Sequence, residues 1–188
     1  MKRNLLLTPG PTQVPPRLCE VLGRPIIHHR TPQFQAYLKE AIDGLKTVLQ
    51  TKNDVYLMAS SGTGAMEACV CSLLSPGDRV ITVEGGKFGE RWTNLAKAFQ
   101  TDPQIIAVEW GRAVDPAMIK KMLDADPSIK AVFITLCETS TGVTPDIQAI
   151  GKAVKSSNAV LVVDAVSGLG VVDLKMDDWH VDAVASAS

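Results

Sequence analysis

The chain has 188 residues, and its 19 lysines and arginines against 20 aspartates and glutamates leave a formal charge of −1 with the histidines neutral. That balance argues against binding to nucleic acid or to a membrane surface, both of which depend on clustered positive charge. Hydrophobic residues make up 46% and charged residues 21% of the chain, enough apolar material for a sizeable core, so disorder is excluded as the main state.

At the start, Met1 to Leu7 runs into Thr8-Pro9-Gly10-Pro11 before a signal-peptide core develops, and no apolar run approaches the roughly 20 residues of a membrane helix. A cytoplasmic protein is expected. Residues 1–16 read as a proline-rich, extended arm. Apolar residues from Phe34 to Leu49 then recur at helical spacing, and Thr31-Pro32 suits the start of that helix. Beyond it, short β-rich runs alternate with helical stretches. Val55–Met58, Val80–Val83, Ile105–Val108, Ala131–Thr135, Val160–Val163 and Ala183–Ala185 read as strands. Ala65–Leu74, Gly89–Phe99, Pro116–Ala125 and Pro145–Lys155 read as helices. The strands are apolar throughout rather than alternating, as expected of a parallel sheet with helices on both faces. The fold class expected is therefore α/β, three-layer, with a mostly parallel sheet.

In such a sheet ligand chemistry collects where strands end and helices begin. Ser61-Gly62-Thr63-Gly64 at a helix start offers N–H groups, hydroxyls and close backbone approach, which suit a phosphate monoester; a capped helix without a ligand would carry the same residues. Asp164 directly follows Leu161-Val162-Val163, so its carboxylate sits at the mouth of a buried strand and needs a cationic partner. A protonated pyridine nitrogen, a metal, a helix N-terminus and an arginine are all candidates. Phe88, within Gly85-Gly86-Lys87-Phe88-Gly89, could stack on a flat ligand or cover the edge of the core. Thr139, in Glu138-Thr139-Ser140-Thr141-Gly142, could bond a ligand oxygen or satisfy its own turn. His28, His29 and His180 lack a carboxylate or cysteine at ligand spacing, and adjacent His28 and His29 should point apart, so no metal site is expected. Cys19, Cys69, Cys71 and Cys137 show neither zinc-site nor C-x-x-C spacing and are expected to be reduced and mostly buried.

Five stretches in this order resemble the class V aminotransferases, within fold type I of the pyridoxal-phosphate enzymes, and most closely the alanine/serine–glyoxylate (serine–pyruvate) group. They are Leu7-Thr8-Pro9-Gly10-Pro11-Thr12, Ser61 to Ala68, Gly86 to Trp92, Glu138 to Val143, and Val162 to Ser167. The resemblance implies that Ser61, Gly62 and Thr63 hold the phosphate of pyridoxal 5'-phosphate, that Phe88 stacks on its pyridine ring and that Thr139 bonds its phenolic oxygen. It implies further that Asp164 pairs with the pyridinium nitrogen, as the catalytic carboxylate of the set, that Val166 packs on the ring's other face, and that Gly10 lies near the substrate. The implied activity is transamination between an amino acid of alanine or serine type and a 2-oxo acid such as glyoxylate or pyruvate, in a homodimer.

The family carries a lysine, covalently linked to the cofactor, shortly after the strand matched by Val181 to Ala185. The sequence ends at Ser188, just short of that position, and Lys152, Lys155 and Lys175 lie elsewhere. Residues 17–188 are thus expected to be part of the large cofactor-binding domain, with the small C-terminal domain outside this chain and no transamination by these residues alone. Leu136-Cys137 replaces a histidine and a small or polar residue common among relatives, which leaves substrate choice open. A cysteine-desulfurase-type lyase is the enzymatic alternative, though such relatives place histidine where Phe88 stands. A non-catalytic truncated binding module is the other.

Overall fold

The computed structural model describes residues 5–188; Met1–Asn4, the first part of the expected arm, lie outside the described residues. The chain divides into two compact units, one ending at Leu45 and one running from Lys46 to Ser188.

The first unit contains α1 (Pro16–Leu22) and most of α2 (Pro32–Leu49). The sequence suggested an extended arm over residues 1–16 and no helix before Thr31, yet α1 forms because Pro16 occupies the first helical turn, where a missing N–H has no consequence. The expected start of α2 is found: the Thr31 hydroxyl accepts the Phe34 N–H at 3.3 Å.

The second unit is a five-stranded sheet with helices on both faces. Its strands are β1 (Arg79–Glu84), β2 (Asp102–Ala107), β3 (Ala131–Thr135), β4 (Val160–Asp164) and β5 (Ala183–Ala185). They run in the order β2-β1-β3-β4-β5, and every pairing is parallel. Alternation along each strand divides the core in two. Ile81, Val83, Val132, Ile134, Leu161 and Val163 point to the face covered by α5 (Pro116–Ala125) and α6 (Ile147–Lys155). Val80, Ala131, Phe133 and Val162 point to the face covered by α3 (Gly62–Leu73) and α4 (Lys87–Ala98), where fully buried Trp92 packs on Phe133 with ring centroids 4.8 Å apart.

Three expectations are corrected. Val55–Met58 is not a strand: it has no hydrogen-bonded neighbour in the sheet, and Tyr56 is 80% exposed. β2 starts at Asp102 and includes Pro103, which is tolerated because β2 is the edge of the sheet. The cysteines are not mostly buried; all four are free, Cys19 and Cys71 are exposed, and Cys69 and Cys137 are partly so. Burial and neighbouring Cys71 push the Cys69 thiol up to about 11, an unreactive value. No helix among the described residues is long and apolar enough to cross a membrane.

The topology locates a site. The chain leaves β1 toward β2 on one side and returns to β3 on the other, so a topological switch point, where sheets of this class bind ligands, lies between the carboxyl ends of β1 and β3. The turns after those two strands carry Phe88 and Thr139.

Candidate active site

Helix α3 begins at Gly62 with Ser61 as its N-cap, the Ser61 hydroxyl accepting the Gly64 N–H at 3.2 Å. The N–H groups of Gly62 and Thr63, in the first turn, have no intrahelical acceptor and give that end a partial positive charge. A Cβ at Gly62 would come within 2.8 Å of Val166 Cγ2, so the helix start lies close against the loop after β4 and a larger residue would have to push the Val166 side chain aside.

The loop after β4 is built around Asp164. This residue ends a strand of apolar neighbours and is 5% exposed. One carboxylate oxygen accepts the Val166 N–H at 2.9 Å, and among the described residues Asp164 makes no ion pair within 4.0 Å. Burial is the largest influence on it and pushes the carboxyl above the usual range. The Val166 N–H and the Arg91 charge draw it back, while Glu138 pushes it up further. Val166 is exposed beside it.

Thr139 lies on the turn after β3, and its hydroxyl is hydrogen-bonded to that of Ser167 on the β4 loop. Phe88 stands in the first turn of α4, half-buried. Arg91, one turn along the same helix, places its guanidinium 4.6 Å from the Phe88 ring centroid and donates to the Thr63 hydroxyl at 3.0 Å. Contacts therefore join Thr63 to Phe88 through Arg91, Gly62 to Val166, and Thr139 to the loop that carries Asp164 and Val166. All the expected cofactor residues belong to the second unit. Gly10 belongs to the first, exposed in a turn closed by the Thr8 hydroxyl and the Pro11 carbonyl at 2.9 Å.

Two residues of the site carried no assigned role in the sequence. Arg91 was legible in principle, three residues after Phe88 and so on the same helix face. Glu138, 3% exposed on the turn after β3, contacts groups about fifty residues earlier in the chain, and no local pattern signals that. As for the histidines, His28 and His29 stack with ring centroids 4.8 Å apart instead of pointing apart. Among the described residues no cluster of three or more histidine, cysteine, aspartate or glutamate side chains could hold a metal.

Comparison with known proteins fits this geometry. The chain matches the family description Aminotransferase class-V over residues 7–188. It is 43% identical to the soluble hydrogenase 42 kDa subunit of Anabaena cylindrica, over 98% of this chain and 49% of that protein. It is 36% identical to the L-aspartate–glyoxylate aminotransferase of Paracoccus denitrificans, over 99% of this chain and 48% of that one. The crystal structure of an aspartate aminotransferase of subgroup IV from Thermus thermophilus superposes with a TM-score of 0.92 at 32% identity, covering 98% of this chain and 52% of that one. The chain spans about half the length of the curated relatives it matches. The named activities of these proteins differ, and the solved structure shares the fold seen here. On the family match and the fold shared with the solved structure, this chain belongs to the class V aminotransferases, pyridoxal-phosphate-dependent enzymes of fold type I.

Proposed function

We propose that the chain forms the cofactor-binding half of a transaminase that moves an amino group from an alanine- or serine-type amino acid to a 2-oxo acid such as glyoxylate or pyruvate. The supporting observation is Asp164, a buried carboxylate with no ion-pair partner among the described residues, at the end of a central strand. Such a group is costly to keep charged, and a pyridinium N–H would supply the opposing charge. The other residues fit the rest of pyridoxal phosphate: the Gly62 and Thr63 N–H groups at the helix end, with the Ser61 and Thr63 hydroxyls beside them, suit a phosphate, and half-buried Phe88 suits a flat ring.

In this reading Ser61, Gly62 and Thr63 bind the phosphate through the helix end. Phe88 covers one face of the ring, and Val166 keeps water from the other. Thr139 donates to the phenolic oxygen, oriented by Ser167. Asp164 holds a proton at the ring nitrogen, with Arg91 close enough to favour its charged form. When bound, pyridoxal phosphate supplies the electron sink for charge developing at the amino acid's α-carbon. Gly10 approaches the substrate from the arm.

The lysine that moves the α-proton and the small domain are proposed to lie outside these residues, with 1–16 as the arm and 17–188 as part of the large domain. A cytoplasmic homodimer is part of the same proposal, which sedimentation of the whole enzyme would check.

The test is the whole enzyme assayed with alanine or serine against glyoxylate or pyruvate, with its absorption spectrum taken before and after each amino acid. Asp164→Ala should remove most activity and weaken cofactor retention, while Asp164→Glu should spare part. Full activity in the alanine variant would end this reading.

A further inference from the structure

Helix α4 has no N-cap of its own. Gly86 precedes it without a side chain, yet the N–H groups of Lys87, Phe88 and Gly89 all find acceptors on the turn after β3. Glu138 Oε1 accepts the Phe88 N–H at 3.3 Å, and Glu138 Oε2 accepts the Gly89 N–H at 2.9 Å. The Ser140 hydroxyl accepts from Lys87 at 3.1 Å and donates to Glu138 Oε1 at 2.5 Å, while the Ser140 N–H donates to the same oxygen at 3.2 Å. Every partner of the Glu138 side chain is thus a donor, as an acceptor-only carboxylate requires. The turn itself is rigid: the Glu138 N–H donates to the Val143 carbonyl at 2.9 Å, and Gly142, at φ +75°, donates to the Glu138 carbonyl at 2.7 Å. Gly86 has no room for a Cβ, which would stand 2.6 Å from both Glu138 Cγ and Cδ.

One cap therefore clamps together the two turns at the switch point. Its donors surround Phe88, and its acceptors, Glu138 and Ser140, flank Thr139. We infer that Glu138 is a positioning residue of the active site, fixing the Phe88 ring and the Thr139 hydroxyl at one mutual geometry. This rests on the reading of the site given above. The carboxylate works through Phe88 and Thr139 and need not touch cofactor or substrate. A glutamine of the same size keeps one acceptor oxygen but turns a donor toward backbone N–H groups, so the clamp should slip without a cavity forming.

The test is kinetic and spectroscopic, on the whole pyridoxal-phosphate-loaded enzyme, with E138Q, S140A and F88A each alone and E138Q combined with F88A. In the wild-type background E138Q should lower kcat/KM by roughly ten- to a hundredfold, the scale of a misplacement of about 1 Å. It should also shrink the visible circular dichroism of the bound cofactor. In the F88A background the same change should have a clearly smaller effect, because one of the two groups it positions is gone while Thr139 remains. S140A, an exposed position that leaves Glu138 in place, should move both readouts in the same direction by a smaller factor. Equal losses in the two backgrounds, or an unchanged dichroism per bound cofactor, would make Glu138 merely structural and overturn the inference. If wild-type enzyme takes up no pyridoxal phosphate, the functional reading itself fails; normal uptake with unaltered E138Q kinetics sinks only the clamp.

Discussion

Gly89→Ala tests whether the first turn of α4 is pressed onto β1 as described. A Cβ at Gly89 would overlap the Val83 carbonyl oxygen and stand 2.9 Å from Glu84 Cα and 3.3 Å from the Val83 carbonyl carbon. These are backbone atoms of a strand paired on both sides, so the strand cannot yield and the helix end must. Overpacking of this kind costs about 1–3 kcal/mol. Moving the helix end also strains the Gly89 N–H bond to Glu138, and a hydrogen bond to a charged group contributes about 1.5–3 kcal/mol. Alanine returns about 0.5–1 kcal/mol as the better helix former. The net loss expected is about 1.5–5.5 kcal/mol, or roughly 3–22 °C in Tm at about 2–4 °C per kcal/mol for a chain of this size, read by far-ultraviolet circular dichroism. Gly85→Ala is the control: nothing lies within 4 Å of a Cβ there, so its stability should stay within about 0.5 kcal/mol of wild type. Equal melting of the two variants would refute the close packing of α4 on β1, and with it the placement of Phe88.

The two perturbed aspartates should shape the pH dependence of stability in opposite senses. Burial raises the Asp164 carboxyl, so the folded protein binds more protons than the unfolded one, and stability should fall as pH rises from the ordinary carboxylate value through the raised one. Asp164→Asn should lose that slope in urea titrations of cofactor-free protein at successive pH values; an unchanged slope would contradict the burial argument. Asp177 is held below its usual range first by the Thr51 hydroxyl at 2.5 Å and then by the Lys52 N–H at 2.9 Å. Its contribution should be present above the ordinary carboxylate value and fade as pH falls through the lowered one. Asp177→Asn should flatten that acid limb, and an acid limb as steep as wild type would count against the Thr51 contact.

The central strands are legible in the sequence because both faces of the sheet are covered. Val-Phe-Ile in β3 and Leu-Val-Val in β4 are apolar without alternation, which a one-sided sheet would not tolerate. The same rule misleads at Val55–Met58, where an apolar run has no neighbouring strand: composition reports a wish for burial, whereas a strand also needs a partner for its N–H and C=O groups. The glycine-rich helix start at Ser61-Gly62-Thr63 and the strand-end Asp164 are readable because each is fixed by the few residues around it. The Glu138 cap is not, since its donors and acceptors lie about fifty positions apart and meet only through the pairing of β1 with β3. Even so, it joins the turns that carry Phe88 and Thr139.

Nitrogen-15 NMR of whole enzyme loaded with ring-labelled pyridoxal phosphate, compared between wild type and Asp164→Asn, tests the pairing of Asp164 with the ring nitrogen most directly. The expected result is the chemical shift of a protonated pyridine nitrogen in wild type, at a pH where the free cofactor is unprotonated, and an unprotonated shift in the variant. An unprotonated nitrogen in wild type, or a protonated one that survives loss of the carboxylate, would contradict it.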